Sequence, residues 1–557
     1  MRADPQRIMM PSVAPSIPLT ASTAQGAGLT TRQPGRGRAA GLVLLVAVLL
    51  VGPPLLYRPV ITQSHDARFP LLARDVLARG ALIPAERGLL YRNKPPLFPW
   101  SIAALSWPTG RVSETTALIP VAAGACLAVL GTFLLGDALF GRRAGVWAAV
   151  ILATSYGFFA FAQRPLPDLL VVGLATLAGY PLWRAVGPAR SRQALAGFYA
   201  WLALAVFAKG PEGLLPLLVA LVWCGATEGA RGLRRLWSPA GVVGFVGISL
   251  VWAVPLLLHA GDRLGGEVVE PGLWAYLGLP RPVSLGGQVA RFALGFLPWT
   301  LLAPLAFPAA VRMRRAPPVG FALLWFAVPL AVIFLSHTQR PRYLLPLYPG
   351  AALLVAWWAD HAGDQLPRLR RGVAVAAGAA ILVVLAAPVW VRPSPRYFVP
   401  AATAASVPLL LALLGAGAAL VGGLWRRRPG LLVAGTAAAM VAVLGWGSWL
   451  HARWARTVQD YPGLAARVAR EAGDAPVGAV VIGDYFLQLD FYLERPVTPL
   501  YTAEDVRVFL ARPERPVAVV EERDWRRLGA PGGSDVRVVA RWRVAGQEDL
   551  IVRRSSP

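Results

Sequence analysis

The chain has 557 residues, of which 56% are hydrophobic, and a formal net charge of +26. Its apolar runs are too long and too many to share one aqueous core, which excludes an ordinary soluble fold. The charge does not indicate nucleic-acid binding, because much of it lies in arginine clusters between apolar runs and no basic face is interleaved with aromatic residues. The two cysteines, Cys126 and Cys224, lie inside apolar runs and form neither a disulfide framework nor a zinc-site pattern.

The sequence predicts a polar N-terminal tail that is followed by a series of membrane-spanning helices. Residues 1–38 are rich in Pro, Ser, Thr, Gly and Ala, which predicts a disordered cytoplasmic tail. The apolar run over 39–57 lacks a small-residue cleavage signal behind it, so we expect a retained helix. At about 20 residues per crossing, we predict about thirteen transmembrane helices in an all-α polytopic membrane domain over 39–450. After the first, they fall near 115–140, 144–162, 167–185, 195–209, 211–228, 239–259, 288–311, 318–336, 342–360, 372–391, 403–425 and 430–450.

Six arginine clusters predict the orientation of these helices. Two crossings fit between consecutive clusters, so all six fall on one side, which the positive-inside rule assigns to the cytoplasm. An odd number of crossings then places the N-terminus inside and the C-terminus outside. The clusters are Arg142/Arg143, Arg184/Arg190/Arg192, Arg231/Arg234/Arg235, Arg312/Arg314/Arg315, Arg368/Arg370/Arg371 and Arg426/Arg427/Arg428.

Two regions do not follow the transmembrane pattern. The segment over about 58–113 is polar and long, and we expect two helices at the outer membrane interface within it, over 67–79 and 95–107. From 451 to 557, short β-rich runs alternate with polar helical stretches, which predicts a small soluble α/β domain outside the membrane. The expected strands are 477–482, 496–500, 517–520, 536–542 and 550–553.

Reactive side chains concentrate in the outer gaps. His65, Asp66 and Arg68 follow the first span directly, although Asp66 would also suit an ordinary helix start. Tyr91 and Lys94 precede the second interfacial helix, where a lysine that extends toward lipid headgroups is the alternative.

Three further outer junctions carry charged residues. Asp168 begins a span, and a carboxylate beside the bilayer core usually has a partner or a task. Lys209 lies at the tip of a tight outer hairpin. His337, Arg340 and Tyr343 belong to another junction, where arginines on the outer side suggest an anionic partner.

Together these residues favour transfer from a lipid-phosphate donor. Carboxylates and cations are expected to meet at one membrane face, at the depth of a lipid phosphate. Arginine and lysine bind a phosphate well, and a carboxylate can act as general base for an acceptor hydroxyl.

The five outer motifs, in order along the chain, resemble those of GT-C glycosyltransferases that use polyprenyl-phosphate sugars. The similarity is to bacterial aminoarabinose transferases that modify lipid A, and more distantly to protein O-mannosyltransferases. It is carried by an acidic-Ala-Arg-aromatic element, Tyr-x-x-Lys-Pro, Pro-Asp, Lys-Gly-Pro and Arg-Pro-Arg-Tyr-Leu-Leu-Pro, and by Phe-Tyr-Leu-Glu-Arg-Pro-Val over 491–497. The resemblance implies a multi-pass inner-membrane enzyme that passes a sugar to a lipid A-like lipid, a protein or a glycan at the outer face.

The resemblance also implies roles for individual residues. Asp66 or His65 would supply the catalytic group, with Asp168 as a second carboxylate. The donor phosphate would be bound by residues of several motifs, namely Arg68, Tyr91, Lys94, Lys209, Arg340 and Tyr343.

The chain departs from the family pattern at two places. His65-Asp66 stands where the family has Asp-Glu, so His65 occupies the catalytic position and Asp66 the next one. Asn93 and Pro271 stand where the family has metal ligands, so we predict no metal site, although Asp262, Glu267 and Glu270 lie nearby. No cofactor is expected.

Two other functions fit part of this pattern. A transporter or flippase of polyprenyl-linked intermediates would also need many helices and intramembrane charges, but it predicts inverted repeats that the sequence does not contain. A catalytically impaired membrane scaffold would explain the altered Asp-Glu pair but not Lys94, Asp168 and Lys209. The sugar and the acceptor are not readable from the sequence.

Overall fold

The computed structural model describes residues 35–57, 60–260, 285–336, 340–361, 415, 429–482, 486–531 and 535–555. Several predictions fall outside these ranges and stay predictions. They are the tail over 1–34, the spans near 372–391 and 403–425, the last two arginine clusters, His337, and Asp262, Glu267, Glu270 and Pro271.

Long apolar helices form the larger part of a multi-pass membrane protein. Within the described ranges, seven helical segments are long and apolar enough to cross a membrane: Arg36–Tyr57, Glu114–Phe140, Asp168–Val186, Pro211–Arg235, Pro239–Leu258, Pro317–Leu335 and Val433–Ala472. Every predicted span that lies on described residues coincides with helix. The total of about thirteen crossings stays a prediction.

The helices of this part follow one another with short connections. They are α1 (Arg36–Val51), α2 (Pro53–Tyr57), α3 (Ser64–Arg79), α4 (Leu97–Ser106), α5 (Glu114–Phe140), α6 (Arg142–Ala153), α7 (Tyr156–Phe161), α8 (Asp168–Val186), α9 (Gln193–Lys209), α10 (Leu215–Arg235), α11 (Pro239–Ala260), α12 (Leu285–Gly295), α13 (Ala303–Arg312), α14 (Pro317–Leu335), α15 (Leu347–His361) and α16 (Pro429–Val458). Short 3₁₀ turns lie at Trp107–Thr109, Pro211–Leu214, Trp299–Leu301 and Pro341–Leu344.

Two spans that we predicted as single helices are divided. The span near 144–162 breaks between α6 and α7, where the Thr154 and Ser155 hydroxyls donate to carbonyl oxygens four residues earlier, at 2.7 Å each. Such bonds compete with the helical ladder and bend the chain. The span near 288–311 divides into α12 and α13 around the turn that contains Trp299. The two breaks contact each other, because the Trp299 indole N–H donates to the Thr154 hydroxyl at 3.1 Å.

Arginines join helix ends at one end of the bundle. Asp137 near the end of α5 binds Arg36 of α1 at 2.9 Å and Arg142 of α6 at 2.8 Å. Arg143 binds Asp360 at the end of α15 at 3.2 Å. Glu228 joins two further clusters, because it binds Arg190 at 3.3 Å and Arg235 at 3.0 Å. That all six clusters lie on one side stays a prediction.

Small residues allow α5 and α8 to approach closely. A Cβ atom at Gly124 would lie 2.5 Å from the backbone of Leu170, and one at Gly131 would lie 2.8 Å from the backbone of Leu177. Small residues at such positions are typical of packed transmembrane helices. This contact fixes the position of α8 and of Asp168 at its first turn.

The loop after α2, which we call the outer loop after its predicted side, contains helices at both positions predicted for interfacial helices and one hairpin that we did not predict. α3 begins three residues earlier than expected and ends at Gly80, which adopts a left-handed conformation with φ 62°. The hairpin pairs β1 (Ala85–Glu86) with β2 (Leu89–Leu90). Its turn residues Arg87 and Gly88 both have positive φ, as short primed turns require.

The C-terminal region folds as an α/β domain, and every predicted strand is confirmed. Its sheet has the order β4-β3-β5-β7-β6, in which β3 pairs in parallel with β4 and β5 and the other pairs are antiparallel. The elements are α17 (Tyr461–Ala472), β3 (Val477–Val480), α18 (Leu487–Leu493), β4 (Val497–Leu500), α19 (Ala503–Leu510), β5 (Val517–Glu521), α20 (Glu522–Arg527), β6 (Val536–Val544) and β7 (Gln547–Arg554).

Helix α18 attaches this domain to the outer loop. The Ser64 hydroxyl donates to the side-chain oxygen of Gln488 at 2.7 Å, and the Tyr492 hydroxyl accepts from the Ile61 amide at 2.8 Å. The Arg74 guanidinium donates to the carbonyl oxygens of residues 490 and 491 at 3.1 and 2.8 Å. The C-terminal domain therefore holds α3 and the loop before it.

Candidate active site

Asp66 lies in the first turn of α3 and is almost fully buried, with 5% of its surface exposed. Arg164, in the loop before α8, holds its carboxylate from one side, with Nε 2.9 Å from Oδ2 and Nη2 2.8 Å from Oδ1. Burial raises the pKa of Asp66 above its ordinary value, and Arg164 partly opposes this. The result is a carboxylate that is fixed in orientation and more basic than an exposed one.

Asp168 and Lys209 form a buried ion pair a short distance away. The Lys209 ammonium lies 2.7 Å from Asp168 Oδ1, and both side chains are 3% exposed or less. Lys209 also contacts Glu212, and the Arg342 Nε lies 3.6 Å from Asp168 Oδ1. Asp168 Oδ2 accepts no hydrogen bond from any described residue. Lys209 is thus held between two carboxylates.

Lys94 is a cation of a different kind. It is half-buried, its ammonium lies 5.6 Å from the centre of the Phe69 ring, and within the described ranges no carboxylate lies at ion-pair distance. Burial lowers the pKa of Lys94 to about 8, and the positive charge of Lys209 acts in the same direction. A desolvated ammonium group without a carboxylate partner favours the binding of an anion.

His65 lies between two guanidinium groups. Its Nδ1 is 3.5 Å from Arg68 Nη1, and its Nε2 is 3.1 Å from Arg340 Nη1. Arg68 also donates from Nε to both carboxylate oxygens of Glu86, at 2.9 and 3.1 Å. Both ring nitrogens of His65 therefore face guanidinium groups, and Glu86 balances the charge of Arg68.

Two tyrosines of the predicted set lie near these cations. Tyr91 is 9% exposed and packs edge-on against Phe69, with ring centres 6.2 Å apart. Burial raises the pKa of Tyr91 to about 12, so its hydroxyl stays protonated and can donate a hydrogen bond. The Tyr343 ring lies 4.9 Å from the Lys209 ammonium and 5.5 Å from the Arg342 guanidinium.

A cavity of about 390 Å³ opens beside Asp66. Asp66, Arg164 and Gln163 contribute its polar wall, and helices α7 and α16 contribute apolar residues. Ser448 of α16 donates to the Gln163 side-chain oxygen at 2.8 Å. Of the predicted catalytic residues on described positions, only Asp66 lies on this wall, which also includes the Glu114 carboxylate and the His451 imidazole.

The structure thus assembles most of the predicted residues at one end of the bundle. Asp66, His65, Arg68 and Lys94 all lie on or against α3, while Asp168, Lys209 and Tyr343 form a second group with Arg342. We did not predict the partners Arg164, Glu86, Glu212 and Arg342 as members of the site. For Arg164 and Arg342 a signal existed, because each is an arginine on the predicted outer side, against the charge bias.

Comparison with known proteins supplies the family context. Residues 93–253 match the model of the dolichyl-phosphate-mannose-protein mannosyltransferase family. The chain is 28% identical over 343 residues to undecaprenyl phosphate-alpha-4-amino-4-deoxy-L-arabinose arabinosyl transferase 2 of Pseudomonas fluorescens, and 30% identical over 339 residues to the corresponding transferase of Pseudomonas aeruginosa. These matches cover 55% and 56% of this chain, and the chain spans only 55% and 57% of the relatives' lengths.

Solved structures match over nearly the whole chain. The crystal structure of ArnT from Cupriavidus metallidurans bound to undecaprenyl phosphate superimposes with a TM-score of 0.76 at 21% identity, covering 94% of this chain and 99% of that one. The chain has the GT-C fold. The mycobacterial arabinofuranosyltransferase AftD is more distant, with a TM-score of 0.51 at 17% identity, and covers 94% of this chain and 40% of its own. The GT-C resemblance predicted from the motifs is confirmed.

Proposed function

We propose that this protein is a membrane glycosyltransferase that moves a sugar from a polyprenyl-phosphate donor to an acceptor. The observation that carries the proposal is the arrangement around α3. A buried carboxylate, Asp66, faces a cavity, while a desolvated ammonium, Lys94, lies against the same helix without a carboxylate partner. A base and an ammonium group without a carboxylate partner suit a reaction in which the acceptor loses a proton and the donor releases a phosphate.

In the proposed reaction the acceptor nucleophile attacks the anomeric carbon of the donor with inversion. A bond forms between the acceptor and that carbon, the bond from the carbon to the phosphate oxygen breaks, and the acceptor proton passes to Asp66. Polyprenyl phosphate leaves with the electron pair. Lys94, Arg68 and Arg340 stabilise the charge that develops on it, which is typically the largest catalytic contribution.

Asp66 is the better candidate for the base than His65. Asp66 borders the cavity, and Arg164, which also lines it, holds the carboxylate in one orientation. His65 has a guanidinium at each ring nitrogen and does not border the cavity. We therefore assign His65 to the phosphate-binding group rather than to proton transfer.

The second carboxylate has a supporting role in this proposal. Asp168 fixes Lys209, and Lys209 and Arg342 lie against the Tyr343 ring, which supports a role for that ring as a contact of the donor. Asp168 and Lys209 are therefore positioning residues, and Tyr91 and Tyr343 are donor contacts.

The relatives and the ArnT structure support a donor of the undecaprenyl-phosphate class. We propose that the N-terminus is cytoplasmic and that the site and residues 451–557 face the outer side of the bacterial inner membrane. The acceptor would then be a lipid A-like lipid, a protein or a glycan exposed on that side. No nucleic acid takes part.

The test is donor turnover in proteoliposomes. Radiolabelled undecaprenyl-phosphate sugars are supplied to the wild type, to Asp66→Asn and to Glu504→Gln, a control in which an exposed carboxylate of the C-terminal domain is neutralised. We expect sugar-dependent release of undecaprenyl phosphate from the wild type and the control, and a loss of about 10²–10⁴-fold in Asp66→Asn.

Two outcomes would contradict the proposal. Movement of intact donor across the membrane without cleavage would indicate a flippase. Absence of both cleavage and movement with every sugar, from a protein that binds undecaprenyl phosphate, would indicate a scaffold.

A further inference from the structure

A second cavity lies inside the C-terminal domain, away from the site described above. Its volume is about 80 Å³, and it opens where β3 and β5 end. Val480 and Ile482 border it from the end of β3, and Glu521 borders it from the end of β5. The proposed transfer reaction uses none of these residues.

The position of the cavity in the sheet is one at which α/β folds bind ligands. From β3 the chain crosses to β4 through α18, and from β4 it crosses back over β3 to β5 through α19. Residues of α18 and α19 pack in separate cores, Leu489 with the core that contains Val477 and Phe509 with the core that contains Val480, so the two helices cover opposite faces. The crossover direction therefore reverses between β3 and β5. Ligands of open α/β sheets bind at such a point, outside the carboxyl ends of the strands.

The polar wall of the cavity is acidic and incompletely satisfied. Asp549 of β7 lies opposite Glu521 in the sheet register and is 3% exposed, and its Oδ1 has no hydrogen-bond partner among the described residues. Asp524 of α20 is 6% exposed, and its Oδ1 also accepts no hydrogen bond. The nearest cation, Arg523, lies 3.7 Å from Asp524 but has a side chain that is 73% exposed. Burial and the neighbouring Glu521 raise the pKa of Asp549 to about 7.

The geometry distinguishes between two kinds of cation. Within the described ranges, no three acidic, histidine or cysteine side chains come close enough together to hold a metal ion. The remaining wall contains the amides of Gln488 and Gln547, aliphatic side chains, and the Tyr461 and Phe486 rings, which lie edge-to-face at 6.1 Å. An organic ammonium ion suits such a wall, because its charge meets carboxylates while its hydrocarbon part contacts rings.

We propose that this cavity binds a small organic ammonium ion, with its charged group at Asp549 and Asp524 and its apolar part against Tyr461 and Phe486. The site is separate from the transfer reaction, and its test does not depend on the proposed activity. One hydrogen bond connects the cavity to the proposed active site, because Gln488 borders the cavity and accepts a hydrogen bond from Ser64, two residues before Asp66.

The experiment is calorimetric titration of the full-length protein in detergent at pH 7.5 with n-butylammonium chloride. The matched probes are n-butanol, which has the same chain without the charge, and calcium and magnesium chloride. We expect saturable binding of n-butylammonium, weakened about tenfold or more in Asp549→Asn and unchanged in Glu504→Gln. If Asp549→Asn does not fold, Asp524→Asn gives the same comparison.

Each contrary outcome overturns the proposal. Equal binding of n-butanol would mean that the cavity is merely apolar. Binding of calcium or magnesium at Asp549, with no response to n-butylammonium, would make it a metal site. Absence of binding by all the probes would leave the carboxylates as structural groups only.

Discussion

Replacement of Lys94 by methionine tests the proposed phosphate site most directly. The substitution keeps the length and apolar stem of the side chain and removes only the charge. Since no described carboxylate pairs with Lys94, its loss leaves no buried negative charge uncompensated, and we expect the protein to fold normally.

The magnitude follows from Coulomb's law. At about 4 Å and an effective dielectric constant of about 20, an ammonium and a phosphate charge attract by about 4 kcal/mol. At about 1.4 kcal/mol per factor of ten, this corresponds to about 10³-fold. The donor is a phosphodiester with one negative charge, whereas the leaving phosphate carries up to two. We therefore expect Lys94→Met to weaken undecaprenyl phosphate binding more than donor binding and to lower kcat as well as kcat/KM.

The pH dependence supplies an independent measurement on the same residue. The pKa of Lys94 is lowered to about 8, so in the free protein the ammonium loses its proton as the pH rises through that value. Wild-type affinity for undecaprenyl phosphate should therefore fall above pH 8, because the charged form is the one that binds. In Lys94→Met this decline should disappear.

The assay is equilibrium binding of labelled undecaprenyl phosphate to purified protein between pH 6.5 and 9.5. Lys94→Arg, which keeps the charge, and Arg537→Gln, which removes an exposed charge from the C-terminal domain, serve as controls. An unchanged Kd in Lys94→Met at pH 7 would refute the assignment of Lys94 to the phosphate.

Three further predictions concern the partners of the site. Lys209→Met should destabilise the protein by about 3–5 kcal/mol, because it leaves Asp168 buried without its closest cation. A lower Tm would confirm this. A normal Tm together with lost donor binding would instead make Lys209 a phosphate ligand. Arg164→Gln removes a group that lowers the pKa of Asp66, so the acid limb of the pH–rate profile should move to higher pH. An unmoved limb would exclude Asp66 as the titrating base. Treatment with a chelator should leave donor turnover unchanged, since we predicted no metal site, and recovery of lost activity by an added divalent ion would contradict that prediction.

The described helices and strands could be predicted from the sequence because the residue patterns that indicate them are local. Apolar runs of about 20 residues and alternating β-rich runs are determined by neighbours in the chain. The hydropathy pattern did not show where hydroxyl groups divide a helix or where a short turn forms. Thr154 and Ser155 lie inside an apolar run, and their bonds to preceding carbonyls, rather than their hydropathy, divide the helix. The hairpin β1–β2 has two residues per strand, too few to form a recognisable alternation.

The sequence marks charged residues as candidates for the site, but it does not show which of them form pairs. Asp66 and Lys94 stand out as charged residues next to apolar spans. Arg164 is 98 residues from Asp66, and nothing in either motif selects one arginine of this arginine-rich chain as its partner. Lys209 was predicted as a phosphate ligand, and only the fold places it between Asp168 and Glu212. That role stays a prediction, now with a competing structural one.

The attachment of α18 to α3 has a consequence for the order in which the protein matures. Ser64 and Gln488 are 424 positions apart, so every residue between them must be synthesised before their hydrogen bond can form. Until then the helix that carries Asp66 lacks the contacts that α18 supplies. A nascent chain that has not yet reached α18 would therefore hold Asp66 on a helix whose anchor is still missing.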